Sequence, residues 1–228
     1  MKRFLILSAC LAFLFSSSSS ATNLDFIKAV KPLQRIDFIT PDGEVIYKNT
    51  CTAVQINQID HIWLTAAHCV LENTLTEEGY EITIGERFIG TQIMSVAAPV
   101  VVIEIDSEKD LAVLQASSFW YPFEANFGKK PKLGQEIFIA GHPFGYLGVF
   151  LTRGWISSLK ADLGWSSPFM VFQVPAAPGS SGSPVFNTKG EVVSILQIGW
   201  SRDFSPMTAG ALWEDVRVIA GKYFSQSE

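Results

Sequence analysis

The feature that most limits the fold of this chain is the regular spacing of turn residues between short apolar stretches. From residue 33 onward, apolar stretches of a few residues are separated by glycine, proline and aspartate, as at Pro41-Asp42-Gly43, Gly134 and Lys189-Gly190. Such spacing is typical of a protein built from many short β-strands. The sequence therefore predicts an all-β fold.

The predicted strands fall into two sets of six. The first set comprises residues 44–47, 52–56, 62–66, 81–84, 95–105 and 111–115, and the second comprises residues 136–141, 151–158, 169–173, 182–186, 192–197 and 209–212. Two prolines and a Gly-Lys-Lys turn between the sets indicate a linker at 119–131, which separates an N-terminal domain (22–118) from a C-terminal one (132–228). Only residues 213–224 have helical periodicity, which predicts one C-terminal helix.

The N-terminus has the pattern of a signal peptide. Basic Lys2 and Arg3 precede an apolar run at 4–15, and Ser19-Ser20-Ala21 forms a small-residue cleavage site. These features predict a signal peptide at 1–21 and a protein that is exported, either periplasmic or secreted. Twelve apolar residues fall short of the roughly 20 that span a bilayer. Leu7-Ser8-Ala9-Cys10 resembles a bacterial lipobox, so membrane attachment is expected only if Cys10 carries a lipid.

Composition excludes several classes of function. Loss of Lys2 and Arg3 would change the net charge from −5 to −7, and nucleic-acid binding requires a positive face instead. The three histidines and three cysteines show neither Cys-x-x-Cys nor His-x-x-x-His spacing, so no metal site is predicted. No cofactor is expected.

Two short motifs carry the groups that serine-nucleophile chemistry needs. Residues 64–69 read Leu-Thr-Ala-Ala-His-Cys, and residues 178–184 read Pro-Gly-Ser-Ser-Gly-Ser-Pro. A serine hydroxyl needs an imidazole to accept its proton and donors to hold the oxyanion that forms. We interpret His68 as the base, Ser181 as the nucleophile, and the backbone N–H groups of Gly179 and Ser181 as the oxyanion donors.

A third group must orient the histidine. Asp110 stands at the start of the apolar stretch Leu-Ala-Val-Leu and is the predicted orienting acid. Asp106 and Glu104 are its competitors. The other two histidines, His61 and His142, are interpreted as structural or surface residues.

The order His68, Asp110, Ser181 and the motifs around these residues resemble the trypsin/chymotrypsin-like serine proteases. Residues 176–182 and Gly141-His142-Pro143-Phe144-Gly145 are similar to segments of the bacterial Deg/HtrA-type branch, and other motifs are similar to the glutamyl-endopeptidase branch. The resemblance extends from about residue 40 to residue 223. It implies two perpendicular antiparallel six-stranded β-barrels, a C-terminal helix, and a catalytic triad in the cleft between the barrels.

The resemblance also implies a disulfide between Cys51 and Cys69, which an exported chain permits. Two buried thiols are the alternative. The chain departs from the family pattern at Ser180, where trypsin-like enzymes have an aspartate that binds a new N-terminus. A second departure is Ser183, which replaces a glycine and is expected to tighten the turn that faces the substrate.

For specificity, the resemblance places Pro175 and Ala176 along the primary pocket. Gln197 to Gly199 would form the edge that pairs with the substrate backbone, and Ala209 or Gly210 the far wall. None of these residues is charged, so we expect cleavage after small or medium apolar residues and not after lysine or arginine. Arg202 and His142 leave a preference for glutamate open.

The expected function is that of an exported, monomeric serine endopeptidase that acts on proteins or peptides through an acyl-enzyme. A catalytically inactive binding module and an esterase with the same triad are the alternatives. Because no peptide-binding module follows residue 228, we expect a stand-alone protease domain. Residues 23–32 either pack on the barrels or block the cleft.

Overall fold

The structure is a computed structural model that describes residues 24–38, 45–71, 80–84, 98–116, 122–146, 148–164, 167–199 and 207–224. The predicted signal peptide at 1–21, Cys10 and Arg202 lie outside these ranges. No helix within them has the length and hydropathy needed to cross a membrane.

The first six strands form a closed antiparallel barrel. In chain order they are β1 (Val30–Phe38), β2 (Val45–Asn57), β3 (Ile62–Thr65), β4 (Tyr80–Ile84), β5 (Ala98–Asp106) and β6 (Leu111–Ala116). Their spatial order is β1-β2-β3-β6-β5-β4, and pairing of β4 with β1 closes the barrel.

The next six strands form a second closed barrel. They are β7 (Glu136–Gly141), β8 (Phe150–Ala161), β9 (Phe169–Gln173), β10 (Pro184–Asn187), β11 (Val192–Gly199) and β12 (Met207–Gly210), in the spatial order β10-β11-β12-β9-β8-β7. Helix α1 (Trp213–Ala220) follows. The prediction of an all-β protein with two six-stranded barrels and a C-terminal helix is confirmed.

The structure departs most from the predicted elements at β1, β2 and helix α1. Residues 44–47 and 52–56 belong to one 13-residue strand, β2, and Val30–Phe38 is a strand that the apolar pattern does not predict. Pairing with β1 from Val54 to Val45 keeps β2 extended through its polar middle, although that part of the sequence has no apolar pattern. The helix ends at Ala220 and continues as a turn, so the prediction of a helix to residue 224 is wrong by one turn.

The residues before β1 pack across both barrels. Asp25–Ala29 form a 3₁₀ helix, and Ala29 lies fully buried in a cluster that contains Val54 of the first barrel and Phe186 of the second. The ring of Phe26 lies 4.5 Å from that of Phe186. Of the two alternatives for residues 23–32, the described part packs on the barrels.

Helix α1 makes the complementary connection from the second barrel to the first. Its buried residues Val216, Ile219 and Ala220 belong to the same cluster. Beyond its end, the Tyr223 hydroxyl donates to a Glu104 carboxylate oxygen of β5 at 2.9 Å, and Lys222 forms an ion pair with the same carboxylate at 2.7 Å. The hydrogen bond from Lys222, with that from Tyr223, lowers the pKa of Glu104.

We predict that Phe26→Ala lowers the free energy of unfolding by about 2–3 kcal/mol, because the half-buried ring packs the segment before β1 against Phe138 and Phe186 of the second barrel. Urea denaturation would measure this change. Phe150→Ala is the matched control, since that ring is 50% exposed and its loss should cost less than about 1 kcal/mol. Equal losses in the two variants would show that residues before β1 do not hold the barrels together.

Candidate active site

His68 and Asp110 are brought together by the pairing of β3 with β6. The register Thr65↔Ala112 aligns the end of β3 with the start of β6, and His68 lies in a 3₁₀ turn (Ala67–Cys69) just after β3. One Asp110 carboxylate oxygen accepts the His68 backbone N–H at 2.7 Å, and the other lies 2.7 Å from the ring Nδ1. The predicted orienting acid is thus in direct contact with the predicted base.

The contact with Asp110 determines the tautomer of the neutral His68 ring. An ionised carboxylate only accepts hydrogen bonds, so Nδ1 must carry the proton and Nε2 of a neutral ring is left with its lone pair. The side chain of His68 is 42% exposed, against 27% for Asp110, so Nε2 remains accessible while the carboxylate is partly shielded. The geometry is that of a base held by an acid.

The competing acids have other contacts. An Asp106 carboxylate oxygen accepts the backbone N–H groups of Glu108 and Lys109 at 3.1 and 3.0 Å and so shapes the turn before Asp110. Glu104 binds Tyr223 and Lys222 on another side of the barrel. Asp110 itself has a φ of +51°, a left-handed conformation that aspartate tolerates better than most residues.

Gln197 of β11 holds the Asp110 turn from the second barrel. Its side-chain amide donates to the carbonyl oxygens of Lys109 at 2.6 Å and Asp110 at 2.8 Å, and the residue is only 5% exposed. The side chain of Gln197 therefore positions Asp110. The sequence predicts Gln197 only at the edge that pairs with the substrate, so this contact was not expected.

Ser181 is held against the first barrel through Thr52 of β2. The Thr52 backbone N–H donates to the Ser181 carbonyl oxygen at 2.8 Å, and its hydroxyl donates to the Gly179 carbonyl oxygen at 3.0 Å. The same hydroxyl accepts the His142 backbone N–H at 2.9 Å. One buried threonine thus joins two loops of the second barrel, the serine loop and the connection from β7 to β8, to β2.

Glycine is required on both sides of this contact. Gly182 has a φ of +81°, and a Cβ atom there would lie 2.1 Å from the Thr52 carbonyl oxygen. Gly179 has a φ of +94°, and its Cβ would lie 2.7 Å from the His142 carbonyl oxygen. A side chain at Gly182 would push the serine loop away from the first barrel, and one at Gly179 would push it away from the connection between β7 and β8.

The N–H groups of Gly179 and Ser181 differ from those beside them, because Ser180 N–H donates to the Ala177 carbonyl oxygen and Gly182 N–H to that of Leu196. Phe144 N–H donates to the Pro178 carbonyl oxygen, and in a planar trans peptide the N–H of Gly179 then points the opposite way. Among the described residues, neither the Gly179 nor the Ser181 N–H donates to a backbone carbonyl. Both predicted oxyanion donors are therefore available to a ligand.

Two adjoining cavities lie at these residues. One is bordered by His68 and Asp110 and the other by Ser181, and they share the edge Gln197, Ile198 and Gly199. The cavity at Ser181 measures about 240 Å³, and Ala176 to Pro178 form part of its wall. Its described lining carries no charged side chain.

The other predicted pocket residues lie nearby but not in this lining. Pro175 lines a separate cavity on the other side of the same loop. Gly210 pairs with Leu196 in β12, where a Cβ would lie 2.4 Å from the Ile195 carbonyl oxygen. Gly210 thus allows close packing behind the cavity.

Cys51 and Cys69 form a disulfide with a Cα–Cα distance of 6.1 Å. It joins β2, directly before Thr52, to the turn that carries His68. A loop separation of 18 residues contributes about 3 kcal/mol in the chain-entropy account. The bridge therefore connects the two contacts on which the positions of His68 and Ser181 depend.

The sequence patterns do not single out Thr52 or Phe144. A signal for Thr52 exists, because it is a polar residue beside the apolar stretch Ala53-Val54, and buried polar groups need partners. Phe144 contributes only its backbone N–H, which every residue except proline has, so the residue type does not predict this role. Its φ of +55° is visible only in the folded chain.

Comparison with known proteins agrees with this geometry. The Trypsin-like peptidase domain family matches residues 51–195. The chain is 37% identical over 133 residues to the Probable periplasmic serine endoprotease DegP-like of Rhizobium meliloti (strain 1021), covering 53% of this chain and 26% of that protein. It is 34% identical over 134 residues to Serine protease Do-like HtrA of Bacillus subtilis (strain 168), covering 54% and 30%. The chain thus spans less than a third of the length of these relatives.

Solved structures share the fold. The Rv3671c protease from M. tuberculosis, in its active form, superposes with a TM-score of 0.65 at 17% identity, over 89% of this chain and 83% of that one. An HtrA-type protease with a tripeptide superposes with a TM-score of 0.68 at 18% identity, over 88% and 61%. With the family match over residues 51–195, this chain belongs to the family of trypsin-like peptidase domains.

Proposed function

We propose that this protein is a serine endopeptidase in which Ser181 is the nucleophile, His68 the general base and Asp110 the orienting acid. The observation that carries the proposal is the double contact of Asp110 with His68, at 2.7 Å to both the backbone N–H and Nδ1. The fastening of the Ser181 loop to β2, next to the disulfide of the His68 turn, supports it.

The proposed reaction proceeds through an acyl-enzyme. His68 Nε2 takes the Ser181 hydroxyl proton as the oxygen attacks the carbonyl carbon of the peptide bond, and the N–H groups of Gly179 and Ser181 stabilise the resulting oxyanion. The protonated imidazole then donates that proton to the leaving amine. Water, deprotonated by His68, cleaves the ester and restores Ser181.

The cavity beside Ser181 supports a preference for small or medium apolar residues before the scissile bond. A charged side chain would lose its hydration there without gaining a partner in the described lining. His142 is 1% exposed and does not line this cavity, so its buried position gives no support to a preference for glutamate.

We further propose that the protein acts on proteins or peptides, that it is exported, and that it is a monomer. Relatives whose names include "periplasmic serine endoprotease" support a substrate outside the cytoplasm. The Cys51–Cys69 disulfide supports the same location, because such bridges persist in oxidising compartments.

We predict that a fluorophosphonate probe labels the mature protein and that Ser181→Ala abolishes the labelling. Asp110→Asn should slow labelling on the order of 10³- to 10⁴-fold, because the imidazole loses its orienting acceptor. Asp106→Asn is the matched control and should label at the wild-type rate. An unbiased peptide mixture, digested in parallel and analysed by mass spectrometry, should show cleavage after apolar residues.

Each alternative gives a different result. An esterase would take up the probe and hydrolyse ester substrates but leave every peptide intact. A binding module would remain folded and unlabelled. Dominant cleavage after lysine or arginine would refute the proposed specificity.

We predict that Thr52→Val lowers kcat about 10- to 100-fold with little change in KM, because the hydroxyl that holds the Gly179 peptide is lost. Thr52→Ser keeps that hydroxyl and should retain most of the activity. Thr208→Val is the matched control, since Thr208 is equally buried and its hydroxyl has no partner among the described residues. An active Thr52→Val enzyme would show that the serine loop keeps its position unaided.

We predict that Gln197→Glu slows fluorophosphonate labelling about tenfold, because a carboxylate cannot donate to the Lys109 and Asp110 carbonyl oxygens. The probe is small, so labelling reports on the nucleophile more than on extended substrate binding. Gln115→Glu is the control: Gln115 also donates to a backbone carbonyl, that of Asp60, but far from His68. Equal labelling by both variants would refute a positioning role for Gln197.

A further inference from the structure

Lys109, the residue before Asp110, sends its side chain from the first barrel to the second. Its ammonium group donates to the Ser167 hydroxyl oxygen at 3.2 Å. Ser167 lies just before β9 and is 6% exposed, so the bond ends on an acceptor that is shielded from water. The half-buried Lys109 side chain thus connects the turn between β5 and β6 to the second barrel.

The backbone of Lys109 is held on both sides. Its N–H donates to an Asp106 carboxylate oxygen at 3.0 Å, and its carbonyl oxygen accepts the Gln197 side-chain amide at 2.6 Å. The planar peptide unit that this carbonyl belongs to leads directly into Asp110. A group that fixes Lys109 therefore also fixes the point from which the Asp110 side chain starts.

Asp110 has a conformation that needs such support. Its φ of +51° lies in the left-handed region, which costs energy for every residue except glycine. A strained residue keeps its conformation only where the surrounding contacts over-determine it. Both Asp110 carboxylate oxygens must also meet His68, each at 2.7 Å. A small rotation of the turn would lengthen both of these contacts.

Electrostatic attraction adds to the hydrogen bond of Lys109. Asp215 lies in the first turn of helix α1, and burial raises the pKa of its carboxyl group. The charge of Lys109 opposes this rise, Asp106 and Glu214 add to it, and Lys160 lowers the pKa by a smaller amount than Lys109 does. The Lys109 ammonium group is thus attracted by an acid that follows the second barrel, in addition to its bond with Ser167.

We propose that Lys109 is a positioning residue, whose side chain anchors the Asp110 turn to Ser167 and so keeps the Asp110 carboxylate in contact with His68. Gln197 holds the same turn from its carbonyl side, and Lys109 holds it through a side chain of the turn itself. Loss of this anchor slows acylation of Ser181, and that second part rests on the proposed function.

The rate of fluorophosphonate labelling tests the effect on Ser181. Lys109→Met keeps the length of the side chain without its charge and donors, and should slow labelling about 5- to 20-fold. Lys109→Arg keeps a charge and donors and should stay within about threefold of the wild-type rate. Lys160→Met is the matched control and should label at the wild-type rate. Lys160 is exposed and its charge also acts on Asp215, but within the described ranges its ammonium group has no hydrogen bond to the turn.

A double-mutant cycle separates positioning from a general loss of stability. Asp110→Asn removes the carboxylate that Lys109 is proposed to position, so in that protein Lys109→Met should change the labelling rate less than about twofold. Ser167→Ala removes the acceptor from the other barrel and should slow labelling about two- to fivefold, again only where Asp110 is present. Equal losses with and without Asp110 would overturn the positioning role.

The proton on His68 Nδ1 gives a readout that needs no turnover. A proton held 2.7 Å from a carboxylate oxygen, measured between heavy atoms, is deshielded and gives a ¹H NMR signal at low field. In the Ser181→Ala protein this signal should be present, should persist with Lys109→Arg or Lys160→Met, and should broaden or vanish with Lys109→Met.

The two measurements distinguish the possible failures. A sharp, unshifted Nδ1 signal with Lys109→Met would overturn the anchor, whatever the labelling rate. A loss with Lys160→Met equal to that with Lys109→Met would overturn it too, because charge near Asp215 and not the bond to Ser167 would then matter. The expected signals in a protein that never labels would refute the proposed function and leave the anchor standing.

Discussion

The hydrogen bonds of Thr52 are the interaction on which the rest of the site depends. The residue is fully buried at the junction of the barrels, and its backbone and hydroxyl bind Ser181, Gly179 and His142 of the second barrel. Thr65 in turn donates to the Thr52 carbonyl oxygen at 2.8 Å, three residues before His68. A buried polar group that loses its partners costs about 1–3 kcal/mol, so displacement of the serine loop is opposed by several unsatisfied groups at once. This is why a loop made of glycine and serine can hold a defined position.

A second cross-barrel contact runs in the opposite direction. Gln197 of the second barrel binds the carbonyl oxygens at Asp110, while Thr52 of the first barrel binds the loop of Ser181. Each barrel therefore positions the other barrel's predicted catalytic group. The chain ends reinforce this exchange: the residues before β1 pack on Phe186, and the turn after α1 binds Glu104 of β5. Relative movement of the barrels would break contacts at all of these places.

The two departures from the family pattern, Ser180 and Ser183, both line the cavity that Pro175 borders. Ser180 also lines the cavity at Ser181. The Ser183 hydroxyl lies beside Gly141, and the tightening of the substrate-facing turn by this residue stays a prediction. With no charge at Ser180, this side of the loop is a neutral apolar space.

The sequence by itself determined the fold class, the candidate groups His68, Asp110 and Ser181, and the cysteine pair, because spacing and local motifs record strand length and glycine requirements. It did not determine β1, whose strand conformation comes from pairing with β2 and β4 and not from an apolar pattern of its own. In the sequence, only the local motif favours Asp110 over Asp106 as the orienting acid. In the structure the two differ in their contacts: Asp110 binds His68, and Asp106 binds the backbone of its own turn. Only the tertiary structure decided the roles of Thr52 and Gln197, because their partners lie 127 and 87 residues away along the chain. Hydrogen bonds between residues so far apart in the sequence depend on how the two barrels pack against each other, and no local sequence pattern predicts that packing.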